Sequence, residues 1–400
     1  MRSTLENNTL TIYLENRIDT NNAKAIEDEL LGMVAAHPGA DVALDAEDLV
    51  YISSAGLRVL MKLRKQVGRS CIPVLNVSPE VYEIFETTGF SQILDVRKRL
   101  RQISVEGCEL IGQGGYGKVY RIDPETIAKI YSPQISLAFV EGERATSQKA
   151  FLMGVPTAIS YDVVKCGDSY GVVYELLNAK TAAQLINEDA SRIPEIVGKS
   201  AMLLKELHQI VPGADSGLPY RKAKMLAWAD SIADLLTQDE VEKIKGFIGS
   251  IPDRDTFLHG DYHSKNIMVR EDGEYQLIDI GDAAVGHPIF DVAELMLAYL
   301  ILPNSRGGTR SDEELRGLLG FDLGLASKVW GVMCATYFGK TTQEEIGALT
   351  QKLMPYCLMM MAFQATSISG GDREAVRLRV DMVVRQRFLP AIDQAQPLDF

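Results

Sequence analysis

The sequence predicts a small α/β domain over residues 1–103, followed over residues 104–400 by a two-lobed α+β domain with a helical C-terminal subdomain. Three observations carry this. Strand and helix patterns alternate through the first hundred or so residues. A glycine-rich turn, Gly112-Gln113-Gly114-Gly115-Tyr116-Gly117, sits between apolar stretches and leads into strand rather than helix. Beyond it, a first lobe of about 104–176 gives way to a lobe of about 177–400 whose apolar residues recur at helical spacing. One polar loop, His259–Asn266, and one strand ending at Asp279 interrupt that pattern.

Composition sets limits. Four hundred residues, 46% apolar and 24% charged, match a soluble globular chain with ample material for a core. No run of about 18 uncharged apolar residues occurs, so no membrane partner is expected. Met1–Asn8 lacks an apolar signal core, which argues for the cytoplasm. Five cysteines, at 71, 108, 166, 334 and 357, form no C-x-x-C and read as reduced thiols rather than a disulfide frame or zinc site. The formal net charge of −13 argues against a nucleic-acid partner.

Leu10, Ile12 and Leu14 alternate as in a strand. Asp19–Asn22 then offers helix caps, and Ala25, Ile26, Leu30, Met33 and Val34 trace one helical face as far as His37-Pro38-Gly39. Val42–Leu44 reads as a second strand, followed by the polar stretch Asp45–Asp48 and then Leu49–Ile52. Ser53-Ser54 opens a helix carrying Leu57, Val59, Leu60 and Leu63. Ile72–Val77 is a further strand, Pro79–Thr87 a further helix, and Arg97–Arg101 a basic junction. With Asp45–Leu60 at its centre, this order resembles the STAS domain of anti-sigma-factor antagonists. The resemblance implies a helix-start serine phosphorylated by a partner kinase, at the position of Ser54, and an anti-sigma-like partner protein. A helix N-terminus suits a phosphate physically. The family's usual Asp before that serine is Ser53 here. Both serines also have the character of plain N-caps.

In the next domain, G-x-G-x-x-G alone is a weak signal, because dinucleotide-binding folds share it but follow it with a helix. Here Val119–Ile122, Asp123–Thr126 and Ile127–Tyr131 read as strand, turn and strand. That is the kinase arrangement: Gly112, Gly114, Gly115, Gly117 and Val119 cover nucleotide phosphates, and Lys129 reaches them from the next strand. A carboxylate must hold that lysine. The helical stretch Leu137–Met153 supplies Glu143, with Glu141 an open alternative. After two strands, Glu175–Thr181 reads as the hinge, where backbone groups from Glu175 to Leu177 meet adenine.

The catalytic-lobe loop places Asp261 five residues before Asn266, and Asp279 ends the short strand Tyr275–Ile278. Phosphoryl transfer needs a carboxylate for the acceptor's proton, plus a neutral oxygen and a second carboxylate for magnesium. Asp261, Asn266 and Asp279 fit those roles in that order. His259 reads as a brace for the loop, and Lys265 either as a charge stabiliser or as a solvated lysine. These patterns, His259–Asn266 and Ile278–Asp282, resemble the aminoglycoside phosphotransferase and choline kinase-like family over roughly residues 105–300. The resemblance implies ATP and Mg²⁺ as cofactors, a structural Asp291, and a small hydroxylated acceptor held by C-terminal helices. H-R-D, D-F-G and A-P-E are absent, and only eleven residues separate Asp279 from Asp291, which leaves little platform for a peptide and favours a small acceptor.

Two functions follow as expectations. One is a kinase acting on the hydroxyl of a small molecule, with a STAS regulatory domain. The other is a signalling protein whose kinase lobe senses nucleotide or phosphorylates Ser54 or a partner protein.

Overall fold

The computed structural model describes residues 1–68, 71–304, 311–367, 372–398 and 400. The chain divides into two compact units, Met1–Ile103 and Ser104–Phe400.

The first unit is built on a five-stranded sheet in the order Ser3–Glu6, Thr9–Ile18, Asp41–Ile52, Pro73–Val77, Asp95–Lys98. Its first pair is antiparallel and the others are parallel. Helices Ala23–Ala36 and Ser54–Val67 make the crossovers between the central strands, and Pro79–Thr87 leads to the last. Leu10, Ile12 and Leu14 all face the core, as period-two spacing requires.

The strand expected over Val42–Leu44 runs on through the polar stretch to Ile52 as one continuous strand. Buried Leu44, Ala46 and Leu49 keep the polar stretch against the core, and two shifts of register against the neighbouring strand absorb the misfit. The basic run read as a junction begins inside the last strand, where Arg97 pairs with Asp95 at 2.6 Å. Neither edge strand shows burial alternation, so nothing local announced them.

In the second unit the first lobe is an antiparallel sheet. Its strands run in the order Ser160–Cys166, Ser169–Glu175, Thr126–Tyr131, Gly117–Arg121, Glu109–Gln113. Helix Leu137–Leu152 packs on it, capped by Ser136. Asp123 shapes the turn before the lysine strand by accepting the amides of Glu125 and Thr126, both at 2.8 Å. Ala179–Thr181 then joins a small sheet with Ile267–Arg270 and Tyr275–Leu277, which frames the polar loop.

The remainder is helical. One helix, Arg221–Ser231, gives way to a tighter turn, Ala233–Leu235. Buried Trp228 donates its indole N–H to Thr366 Oγ1 at 2.8 Å, so it packs and ties two helices. In helix Gln343–Ser367, Met359 and Met360 are fully buried and serve as core. Glu314 and Glu345 are spent on helix starts, accepting the amides of Ser311 and of Thr341 and Thr342. Helix ends at Ile392. Among the described residues, no single helix is long and apolar enough to cross a membrane.

Candidate active site

Lys129 lies within the strand Thr126–Tyr131, paired with Val119 on one side and Val172 on the other. Its ammonium donates to Glu143 Oε1 at 2.6 Å and to Asp279 Oδ1 at 2.7 Å, joining the two lobes. Of the two glutamates considered, Glu141 points to solvent. The buried positions Val140, Ser147 and Ala150 fix the inward face of helix Leu137–Leu152, and Glu143 shares it. Burial opposes the charge on Lys129, but Asp279 and Glu143 outweigh it and hold its pKa above the ordinary lysine value.

Asp279 follows the strand Tyr275–Leu277 in a left-handed conformation, φ 60°, which Asp tolerates better than most residues. Gly281 is required by close approach, since a Cβ there meets Glu143 Cγ at 2.4 Å. Gly281→Ala is expected to push Glu143 off Lys129 and to destabilise the unit by about 1–3 kcal/mol. Urea unfolding checks this, and an unchanged midpoint overturns it.

The polar loop is held from behind. Asp291, fully buried at the start of helix Ile289–Met296, accepts the amides of His259 and Gly260, both at 2.9 Å. His208 approaches the same carboxylate at 3.2 Å and Tyr337 Oη at 2.6 Å. Burial raises the Asp291 carboxyl, yet the hydrogen bonds from His208 and from the Gly260 amide bring it below its ordinary value, so it stays an anion. Buried Arg221 donates to the Gly260 carbonyl at 2.9 Å. Gly260 itself has φ +82°, and a Cβ there meets the Asp282 carbonyl oxygen at 2.2 Å.

His259 is fully buried, which lowers its pKa and keeps the ring neutral. Its Nδ1 accepts the Asp261 amide at 3.2 Å, a bracing contact.

Asp261 comes out half-exposed. Asn266 donates its amide to Asp261 Oδ2 at 3.0 Å and to the Asp261 carbonyl at 2.9 Å. That leaves Asn266 Oδ1 as its free acceptor. His263 Nδ1 accepts the Lys265 amide at 3.3 Å, so its proton lies on Nε2, 3.4 Å from Asp261 Oδ1. Burial raises the Asp261 carboxyl, but the hydrogen bond from His263, helped by that from Asn266, holds it below the ordinary value.

The Ile278 amide donates to the Asn266 carbonyl at 3.0 Å, setting Asn266 beside Asp279. These two oxygen-bearing side chains fit magnesium, which favours oxygen ligands and keeps a shell filled by phosphates and water. No cluster of three or more His, Cys, Asp or Glu suited to a metal occurs among the described residues, and a magnesium site of this kind needs none. Lys265 turns away and donates to the Gly317 carbonyl at 2.8 Å, which ends its reading as a charge stabiliser in the transfer.

In the glycine turn, Gly114 donates to the Gly117 carbonyl at 2.9 Å, closing the hairpin. Gly114 and Gly115 face open space, a cradle with room for phosphates, and Gly112 faces Val119. Gly117 alone has no room for a side chain, with the Ile130 carbonyl oxygen 2.1 Å from a Cβ placed there. At the hinge, the Glu175 amide donates to Ile159 and the Leu176 amide to Glu125, so those two are taken. Leu177 follows them, buried.

Ser54 belongs to the other unit, as the exposed first residue of helix Ser54–Val67. Ser53 is the cap: its Oγ accepts the amides of Ala55 and Gly56 at 3.2 and 3.4 Å.

Sequence reasoning missed three supports of this site. Tyr131 had a signal, because two residues after Lys129 in a strand means the same face. Arg221 and His208 had none, since their partners lie far along the chain.

A family model described as Phosphotransferase enzyme family matches residues 108–332, and one described as STAS domain matches residues 2–103. BtrV of Bordetella bronchiseptica, named as a candidate anti-sigma factor antagonist, is 36% identical over 89 residues, covering 22% of this chain and 76% of BtrV. A solved ternary complex of streptomycin, ATP and APH(2'')-IIa has 17% identity and a TM-score of 0.45, covering 80% of this chain and 99% of that one. APH(4)-Ia has 11% identity and a TM-score of 0.48, covering 70% and 96%.

Proposed function

The chain belongs to the phosphotransferase enzyme family, with a STAS domain ahead of the matched segment, and from that premise we propose that it moves the γ-phosphate of ATP to a hydroxyl of a small molecule. The observation that carries this reading is Lys129 bonded at once to Glu143 and Asp279, beside the linked pair Asp261 and Asn266. Lys129 and the open turn at Gly114 and Gly115 are suited to the phosphates, and Leu177 to adenine. Asn266 Oδ1 and Asp279 are the groups that would hold Mg²⁺. Bound there, the metal supplies charge neutralisation and alignment of the phosphates.

Asp261 orients the acceptor hydroxyl and takes its proton at a carboxylate oxygen. His263 keeps the Asp261 carboxylate ionised, and His259 with Asp291 fixes its backbone. Positioning and electrostatics do the rest. The segment between Asp279 and Asp291 holds a short turn, Ile280–Asp282, a three-residue strand, Ala284–Gly286, and the start of helix Ile289–Met296, which favours a small acceptor over a peptide.

A second reading rests on the first unit, a STAS domain related to an anti-sigma factor antagonist with Ser54 exposed at a helix start. In it the phosphate goes to Ser54 or to a partner protein.

One experiment separates the two. Purified protein is incubated with Mg²⁺ and γ-labelled ATP, alone and with aminoglycosides, choline or sugar alcohols. Label on a small molecule is the expected result. Label on the protein that disappears in Ser54→Ala supports the second reading and counts against the first.

A further inference from the structure

We propose that Tyr131 is a positioning residue for the nucleotide, holding the Glu143 carboxylate in place through its hydroxyl. This rests on the nucleotide site assigned above and adds a residue to it. Tyr131 ends the lysine strand and is 1% exposed. Its Oη donates to Glu143 Oε1 at 2.7 Å, the same oxygen that receives Lys129 at 2.6 Å.

The fold does not need this hydroxyl. The ring lies among Val140 and Val172 with Tyr174 beside them, and Phe139 meets it edge-on at 6.3 Å. A phenylalanine fills the same space. What the oxygen adds is a second donor to a carboxylate that already has one. Burial keeps the phenol protonated, so it acts as a donor at all working pH values.

The need for that donor lies in the divided duty of Lys129. Its ammonium is shared between Glu143 and Asp279. To hold phosphate, Lys129 must turn part of its hydrogen bonding away from these carboxylates, and Asp279 must be free for a cation. Glu143 then loses part of its hold, and a glutamate side chain has rotamer freedom to regain. Tyr131 keeps Glu143 at one position through this exchange, so that Lys129 returns to a fixed partner. The phenol is itself fixed by the edge contact with Phe139, whose ring lies 5.6 Å from that of Tyr116 in the glycine turn.

The test uses the full chain and Mg-ATP binding by calorimetry, which requires no acceptor. Tyr131→Phe is expected to weaken Mg-ATP binding about tenfold, the worth of one hydrogen bond to a charged group. Its thermal midpoint is expected to move by no more than about 2–4 °C. In a Glu143→Ala background the same change is expected to have no further effect, because its target is gone. An unchanged affinity in Tyr131→Phe overturns the proposal, as does an equal loss in the Glu143→Ala background. A parent chain that binds no Mg-ATP overturns the phosphotransfer reading and takes this inference with it, an outcome distinct from a binding parent with an indifferent variant.

Discussion

Asp261→Asn is expected to lower phosphoryl transfer by about 10²–10⁴-fold, the usual contribution of a positioned general base, while Mg-ATP still binds. Asparagine keeps the shape and can still accept the Asn266 amide, whose bond to Asp261 is 3.0 Å in the parent. It cannot take a proton. Single-turnover transfer and calorimetry on the same preparation separate the two effects, and near-parental turnover removes Asp261 from the role of base. Asp261→Ala is expected to do the same with more disturbance of the loop. The pH profile offers a second check. Because the Asp261 pKa is lowered from 3.8, its base form persists through the neutral range. Its contribution to transfer is therefore lost only as pH falls below that value.

Asp291→Ala has the largest expected effect on stability, about 3–5 kcal/mol, as for breaking a buried charged network. Removing this carboxylate strips the His259 and Gly260 amides of their acceptor and takes from buried His208 one of its two partners. Equilibrium unfolding in urea reads the loss, and a change below about 1 kcal/mol refutes the scaffold role. The sign with pH follows from the depressed pKa of Asp291 in the folded chain. Its stabilisation is fully present above the ordinary carboxylate value near 3.8 and is lost as pH falls through the lower folded value. Asp261 and Asp291 are thus expected to separate, one lost in activity with the fold intact and the other lost in the fold itself.

Much of the site is readable along the chain because its chemistry is local. Asp261 and Asn266 share one loop, and their spacing lets one side chain reach the other. The glycine turn declares itself by the strand, rather than helix, that comes directly after it, and the turn at Asp123 by its own side chain. Strand Thr9–Ile18 and helix Pro79–Thr87 show their buried faces in their periodicity.

Other features come from packing between distant segments. Glu143 rather than Glu141 meets Lys129 because Val140, Ser147 and Ala150 are the positions buried against the rest of the lobe. Two glutamates two residues apart carry no local mark of that choice. Lys265 reaches the Gly317 carbonyl, a partner 52 residues away, instead of facing the reaction. The exposed edge strand Ser3–Glu6 has no burial pattern and exists only because Thr9–Ile18 offers it a ladder of hydrogen bonds. Local order and reactive groups are written in sequence because backbone preference and side-chain reach act over a few residues. The rotation of a helix and the partner of a buried charge wait for tertiary structure, because they depend on which distant surfaces exclude water together.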